Sequence, residues 1–366
     1  MSKPLKVCVF GGDGIGPEVT RAAVRVLQAV CQRDSIALDL AEHPFGSTSF
    51  RESGVAFPEA SRQAASEADA VLLGAVGDPA FDHLPPMERP QRCLLDLRQL
   101  LDAWANLRPA RMSPGLLESS PMRPEYVENL DLLVVRELLG GLYFGKPRER
   151  TGTSPHQVAI DTMVYKEEEI ERIVRLGFQL ARGRRGQLCS VDKSNVLECS
   201  RLWEQVVARI APEFPDVELS HLYVDACATA LVTNPADFDV IVTSNLFGDV
   251  LSDQSAGMLG SLGVLPSASV GGPTALYEPV HGSAPSLAGQ DKANPMAAIL
   301  SAAMLLRHTG GHEAAAASIE AAVDAALAQG LRTADLLPKS RRHEAVGTTA
   351  FTEAVLASLG ALTPGE

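Results

Sequence analysis

The chain has 366 residues, 46% hydrophobic and 21% charged, which allows roughly two domains with a sizeable core and is ordinary for a globular enzyme. Its net charge of −13 excludes a basic nucleic-acid binder and a protein drawn to anionic membranes. Six cysteines, at 8, 31, 93, 189, 199 and 227, form no C-x-x-C pair, so reduced thiols and a cytoplasmic location are expected.

Residues 5–10 predict a strand, which leaves no room before it for a secretory leader. The turn Gly11-Gly12-Asp13-Gly14-Ile15-Gly16-Pro17-Glu18 follows, then a helix over 18–30, with Pro17 suited to its first turn. This turn is either a phosphate cradle or a plain strand-to-helix connection. It is not G-x-G-x-x-G, because the sixth position falls on Pro17 or Val19. Strands at 36–40 and 70–73, with a helix over 58–68 between them, predict a largely parallel sheet. A Pro-rich loop covers 77–90 and a helix covers 93–101. A strand over 130–136 ends on Arg136, and 137–145 holds two adjacent glycines and Tyr143. Arg98, Arg108 and Arg136 each lie at or near the end of an apolar element, not in a charge run. They are either solvated surface residues or a bidentate clamp for a dicarboxylate.

The polar stretch 145–161 reads as a loop or an extended arm, and 166–182 as an amphipathic helix. A strand over 188–191 leads through Asp192-Lys193-Ser194-Asn195-Val196 into another helix. Lys193 is either a surface lysine or, with its pKa lowered by burial, a proton-transfer group. Residues 217–219 and 222–224 flank or form a strand, and Asp225 opens the next helix as an N-cap or a metal ligand. Then comes VIVTSNLFGDVLSDQSAGMLG at 240–260. It reads as a buried strand over 240–243, N-cap oxygens on Ser244 and Asn245, and a helix with Asp249 and Asp253 on one face. Two stacked carboxylates repel each other unless a cation lies between them, and they suit Mg²⁺ or Mn²⁺ rather than Zn²⁺. The competing reading is a solvated acidic face. The buried strand ahead of the helix points the pair to the carboxyl end of a sheet, where α/β proteins hold their sites. Beyond a Gly/Pro-rich stretch, Tyr277-Glu278-Pro279-Val280-His281-Gly282-Ser283-Ala284-Pro285 reads as a turn that a planar ligand could approach. Helices over 296–307, 314–329 and 349–359 close the chain. The longest apolar run, 296–306, is too short to span a bilayer.

Several long motifs in one order make the chain recognisable: GGDGIGPE at 11–18, ANLRP at 105–109, VVRELLGGLYFG at 134–145, SVDKSNVLE at 190–198, SNLFGDVLSD at 244–253, LPSAS at 265–269, YEPVHGSAP at 277–285 and ANP at 293–295. With these the chain resembles the β-decarboxylating dehydrogenases of the isocitrate and isopropylmalate type, over nearly its whole length.

The resemblance implies an α/β fold unlike the Rossmann fold, with two α/β domains around a central sheet. The first would comprise 1–103 and 260–366 and hold the cofactor. The second would comprise 104–259, with a dimer interface and an arm near 145–161. It further implies a homodimer with shared active sites in the cleft. In that scheme Arg98, Arg108 and Arg136 hold the malate carboxylates, and Asn195 and Asp225 also meet the substrate. Asp249 and Asp253 bind Mg²⁺ or Mn²⁺ together with Asp225 of the partner subunit. Lys193 of the partner subunit serves the 2-hydroxyl, and Tyr143 protonates the enol. Leu94 and Leu95 face the C3 substituent with Val196 of the partner subunit. Ile15, Glu278, His281, Gly282, Ser283, Ala284, Ser286 and Asn294 hold NAD.

The implied reaction is oxidative decarboxylation of 3-isopropylmalate to 4-methyl-2-oxopentanoate, a step of leucine biosynthesis. Isocitrate, homoisocitrate, tartrate or another 3-alkylmalate are the alternative substrates. Two departures stand out: Ser286 occupies the place of the family's aspartate, and Gln91-Arg92-Cys93 does not match the stretch before the arginine helix. Phosphoryl transfer is disfavoured by the lack of G-x-x-x-x-G-K-[ST], and a non-catalytic subunit by retention of the acids, the tyrosine and the lysine.

Overall fold

The structure is a computed structural model that describes residues 3–361; residues 1–2 and 362–366, the ends of the expected first domain, lie outside it. The described residues form two compact units, one from residues 3–103, 112–124 and 256–361, the other from Trp104–Arg111 and Glu125–Ser255. The expected boundaries were 103/104 and 259/260. Residues 112–124 instead belong with the first unit, because Met112 and Leu116 are buried there. Gly115 also approaches Leu327 so closely that an added Cβ would lie 2.6 Å from its side chain.

In the first unit, strand Leu5–Gly12 pairs in parallel with Leu38–Glu42 on one side and Ala70–Ala75 on the other. Ala275–Pro279 runs parallel beside Ala70–Ala75 and antiparallel to Pro266–Val270. This order and its antiparallel member differ from the dinucleotide-binding sheet of Rossmann proteins. The second strand starts at Leu38 rather than 36, because Ser35 adopts a φ of +57° and the Ile36 N–H is still bound to the Cys31 carbonyl. Residues 7–10 and 70–73 are buried without alternation, as in strands covered on both faces. On one face Cys8, Phe10, Val71 and Leu73 join a cluster with Phe45, Phe57, Cys93, Leu97 and Leu101. Phe10 stacks on Phe45 at 4.6 Å, and Phe57 meets Phe45 edge-on at 4.9 Å. Each such ring stabilises the unit by about 1.5–3 kcal/mol on burial. The cluster seats helix Cys93–Leu100 through Cys93 and Leu97 and so sets the position of Arg98.

In the second unit, Ala105–Arg111 pairs antiparallel with Asp131–Glu137, and Val240–Thr243, Gln187–Asp192 and Glu218–Tyr223 follow in parallel. Residues 218–219 and 222–223 of the two expected segments thus lie in one strand, while Val217 precedes it and Val224 opens the next helix. Helix Glu167–Arg182 buries Ile170, Ile173, Val174 and Phe178. Its Gly177 lies so near Val242 that an added Cβ would come within 3.2 Å. The open reading of 145–161 resolves into an antiparallel hairpin, Arg148–Thr151 with Val158–Asp161, exposed along its length with Val158 55% accessible. Among the described residues no helix is long and apolar enough to cross a membrane.

Candidate active site

Helix Asn245–Met258 begins directly after the buried strand Val240–Thr243 and projects Asp249 and Asp253 from one face. Two guanidiniums from the neighbouring strands meet them. Arg108 Nη1 lies 3.3 Å from Asp249 Oδ1 and 3.2 Å from Asp253 Oδ1. Arg136 donates from Nη1 to Asp249 Oδ1. Tyr143 donates its hydroxyl to Asp249 Oδ2 at 2.6 Å, and the Arg136 guanidinium lies 5.5 Å from the Tyr143 ring centre. Arg108, Arg136, Tyr143, Asp249 and Asp253 therefore form one cluster within the second unit. Burial, and then the Asp249 carboxylate, push the Tyr143 phenol up to about 12, so it keeps its proton at neutral pH. Burial also raises the Asp253 carboxyl, against the pull of Arg108.

Three residues missed by sequence reasoning hold the arginines in place. Asn245 Oδ1 accepts from Arg136 Nε at 3.0 Å and Nη2 at 2.8 Å, while its Nδ2 donates to the Leu138 and Gly140 carbonyls. Arg108 donates to Asn106 Oδ1 and Ser252 Oγ, both at 2.7 Å. The expectation of N-cap oxygens at 244 and 245 is corrected here. The Ser244 hydroxyl is buried without a hydrogen-bond partner, and the Asn245 oxygen is turned to Arg136. An asparagine at a helix start signals a cap, and nothing local in the sequence signals this other use.

Lys193 and Asp225 form an ion pair, and that contact holds the Asp225 carboxyl below its usual range. Asp225 is not the N-cap. Tyr223 occupies that position, and Asp225 lies inside the first turn of Val224–Thr233. Among the described residues no three His, Cys, Asp or Glu side chains meet as a metal-binding group, so Asp249 and Asp253 remain a pair within this chain. Asn195 and Val196 lie beside Lys193 in an exposed turn, with Val196 63% accessible.

In the first unit, Arg98 donates to Glu278 at 2.7 Å, both side chains being buried, and Arg98 Nε has no hydrogen-bond partner. Leu94 and Leu95, one turn earlier, are half-buried. Arg92, at the end of the short turn 90–92 that leads into helix Cys93–Leu100, lies 3.7 Å from Asp96, which matches its charge. Of the two readings of the Gly11–Gly16 turn, its hydrogen bonds favour the plain strand-to-helix connection: the N–H groups of Asp13, Ile15 and Gly16 are spent on the Ala75, Ser283 and Asp13 carbonyls. The Asp13 carboxylate is itself an organiser, accepting from the N–H groups of Ser47, Thr48 and Gly77. The Ile15–Ser283 bond and the tight approach of Gly14 to the Ser283 carbonyl seat the 281–286 turn against this loop. There His281 Nε2 is buried without a partner, and burial lowers the imidazole's pKa. An added Cβ on Gly282 would meet nothing within 4 Å. Ala284 takes φ +35°, Ser286 is exposed, and Asn294 is buried and donates to Asp335 at 3.0 Å.

The donor chemistry of both regions fits the groups that the sequence implied. Two half-exposed carboxylates one helical turn apart are hard oxygen ligands for a divalent ion. The orphaned His281 nitrogen beside the open Gly282 suits the edge of a planar base.

Residues 6–355 match the isocitrate/isopropylmalate dehydrogenase family. The chain is 54% identical over 332 residues to the 3-isopropylmalate dehydrogenase of Moorella thermoacetica, covering 90% of this chain and 93% of that one. It is 51% identical over 358 residues to that of Gloeobacter violaceus, covering 96% and 98%. Among solved structures, isocitrate dehydrogenase from Methylococcus capsulatus superposes with a TM-score of 0.85 at 34% identity, covering 97% of this chain and 99% of that one.

Proposed function

Because this chain belongs to the isocitrate/isopropylmalate dehydrogenase family, we propose that it oxidises and decarboxylates (2R,3S)-3-isopropylmalate to 4-methyl-2-oxopentanoate, using NAD and Mg²⁺ or Mn²⁺, in leucine biosynthesis. The observation that carries this reading is the cluster of Arg108, Arg136, Tyr143, Asp249 and Asp253, which assembles guanidiniums, hard metal ligands and a protonated phenol. All six cysteines are free thiols, which supports a cytoplasmic setting.

Bound NAD would supply the acceptor for the hydride of C2, and a bound divalent ion would supply positive charge to the oxygen of the keto acid. Arg98, Arg108 and Arg136 bind and orient the two carboxylates, with Asn106, Ser252 and Asn245 fixing the last two guanidiniums. Lys193 of the partner subunit is assigned the proton transfer at the 2-hydroxyl, beside Asn195 and Asp225, its amine being free to take the proton only once the contact with Asp225 has released its own. Tyr143 delivers a proton to the carbon that lost CO₂, for which a phenol held protonated is suited. One proton is taken and one returned, so the reaction as written releases none. Ile15, Glu278, His281, Gly282, Ser283, Ala284, Ser286 and Asn294 bind the dinucleotide, and Asp249, Asp253 and Asp225 of the partner subunit bind the ion.

Leu94 and Leu95, with Val196 of the partner subunit, take the C3 substituent. Three apolar carbons at about 0.8 kcal/mol each give roughly 2 kcal/mol, or about 30-fold in kcat/KM. A carboxylate placed there would be buried unpaired, at greater cost, since Arg92 is matched by Asp96. NADH formation with a panel of malates should therefore rank 3-isopropylmalate above isocitrate and homoisocitrate. A higher kcat/KM for either tricarboxylate overturns the assignment and points to Arg92.

Ser286 can bond a ribose hydroxyl but does not repel a 2′-phosphate as an aspartate does. NAD is the expected cofactor, and Ser286→Asp should raise the NAD-over-NADP ratio of kcat/KM by about tenfold, the effect of roughly 1.4 kcal/mol. A wild-type preference for NADP would refute this use of Ser286.

A further inference from the structure

Glu137 follows Arg136 at the end of strand Asp131–Glu137, and successive side chains on a strand point to opposite faces. Arg136 turns to Asn245 and Asp249. Glu137 turns the other way and is fully buried. Its carboxylate folds back onto the turn that follows, accepting from Leu139 N at 3.0 Å and Gly140 N at 2.8 Å. The nearest cation, Arg172, stands 3.8 Å away, beyond hydrogen-bond reach, over the face of Trp104. The same turn is held from the other side by Asn245, which donates to the Leu138 and Gly140 carbonyls. The next residues, Gly141–Tyr143, form the short helix that carries Tyr143, and Gly141 N donates to the Val164 carbonyl.

An ion buried with two N–H donors and no bonded cation is a costly way to close a turn. Burial pushes its carboxyl up to about 7, with the Leu139 and Gly140 N–H groups and then Arg172 drawing it down. The other groups facing it are Glu169 on the Arg172 helix and Tyr165, whose phenol is raised by burial and by Glu137. The ionised form offers a strong acceptor to each N–H group, whereas protonation turns one of the two oxygens into an O–H donor and a weaker acceptor. Costly strained or charged features of this kind collect where activity depends on a fixed geometry.

We propose that Glu137 is a positioning residue, a buried carboxylate that fixes the 138–141 turn and thereby aligns Arg136 and Tyr143 for the reaction. This rests on the functional reading above.

The test is Glu137→Gln. Its amide is isosteric, but its NH₂ opposes one of the two N–H groups, so the turn must shift. At about pH 8 kcat should fall roughly tenfold while KM for NAD, bound by other residues, stays within twofold. Hydrogen exchange of the 138–141 amides should accelerate severalfold while the rest of the second unit is unchanged. Stability supplies a further sign. The native carboxyl titrates near 7 and the unfolded one near 4.5. The native state therefore holds the extra proton between these values, and wild-type stability is lost as pH rises through that window. The melting temperature of the Gln variant, relative to wild type, should accordingly rise from about pH 5 to about pH 8.

Unchanged kcat with faster exchange would leave Glu137 a structural residue only and overturn the proposal. If Glu137→Gln does not fold, Arg172→Gln replaces it. That change keeps both N–H bonds but removes the cation, so kcat should match wild type at high pH and fall earlier on acidification. An unshifted profile overturns the proposal. A wild type inactive on every malate refutes the functional reading instead, and the exchange measurement then decides whether Glu137 holds the turn.

Discussion

Replacing Asp249 with asparagine is expected to abolish nearly all turnover while leaving the fold intact. Asp249 is the point where Arg108, Arg136 and Tyr143 converge, and with Asp253 it supplies the hard oxygen donors of the proposed metal site. The amide keeps an acceptor for the tyrosine or an arginine but loses the charge that binds a divalent ion. Without that ion the developing oxygen charge is left uncompensated. The loss of several kcal/mol of transition-state stabilisation corresponds to about 10³-fold or more in kcat. Asp249 is part-exposed, and Arg136 retains both bonds to Asn245, so the stability cost should be about 1–2 kcal/mol. NADH formation and thermal unfolding of wild type and variant, in chelated buffer and after adding back Mg²⁺ or Mn²⁺, separate the two effects. Full wild-type activity in thoroughly chelated buffer sinks the metal role.

The second large effect is a recovery of activity from two dead proteins. Within one chain Lys193 is paired with Asp225, and neither Asp249 nor Asp253 finds a third ligand among the described residues. We propose that each site takes Lys193 and Asp225 from the other subunit of a homodimer. Lys193→Ala and Asp249→Ala should each be inactive alone. Denatured and refolded together, about half the dimers become hybrids. In a hybrid one site collects both defects and the other has none, so up to roughly a quarter of wild-type activity should return. If every site is built from a single chain, each hybrid site keeps one defect. A mixture that stays dead, with hybrids shown to have formed, rules out the shared site and reassigns Lys193 and Asp225 within one subunit.

The exposed hairpin Arg148–Thr151 with Val158–Asp161 illustrates where sequence reasoning stopped. Its eight paired positions mix charged and apolar residues without one buried face, so no period separated strand from loop. The Gly11–Gly16 turn shows a different limit. Its glycines are compatible with a phosphate cradle, and only the partners of three of its N–H groups, the carbonyls of Ala75, Ser283 and Asp13, count against that use.

What the sequence determined by itself is what lies within one element or one contiguous motif. The four-residue spacing of Asp249 and Asp253 dictates a shared helix face, the run 130–136 places Arg136 one residue before the end of strand Asp131–Glu137, and the ordered motifs identify the family. These follow from local periodicity, which any stretch of chain obeys wherever it packs. What only the tertiary structure decided is which distant polar groups meet: Asn245 with Arg136, Asn106 and Ser252 with Arg108, Asp13 with Ser47 and Gly77, and the burial of Glu137. The orientation of a buried side chain depends on the partners that satisfy its hydrogen bonds once water is excluded, and those partners come from segments that only the packed fold brings together.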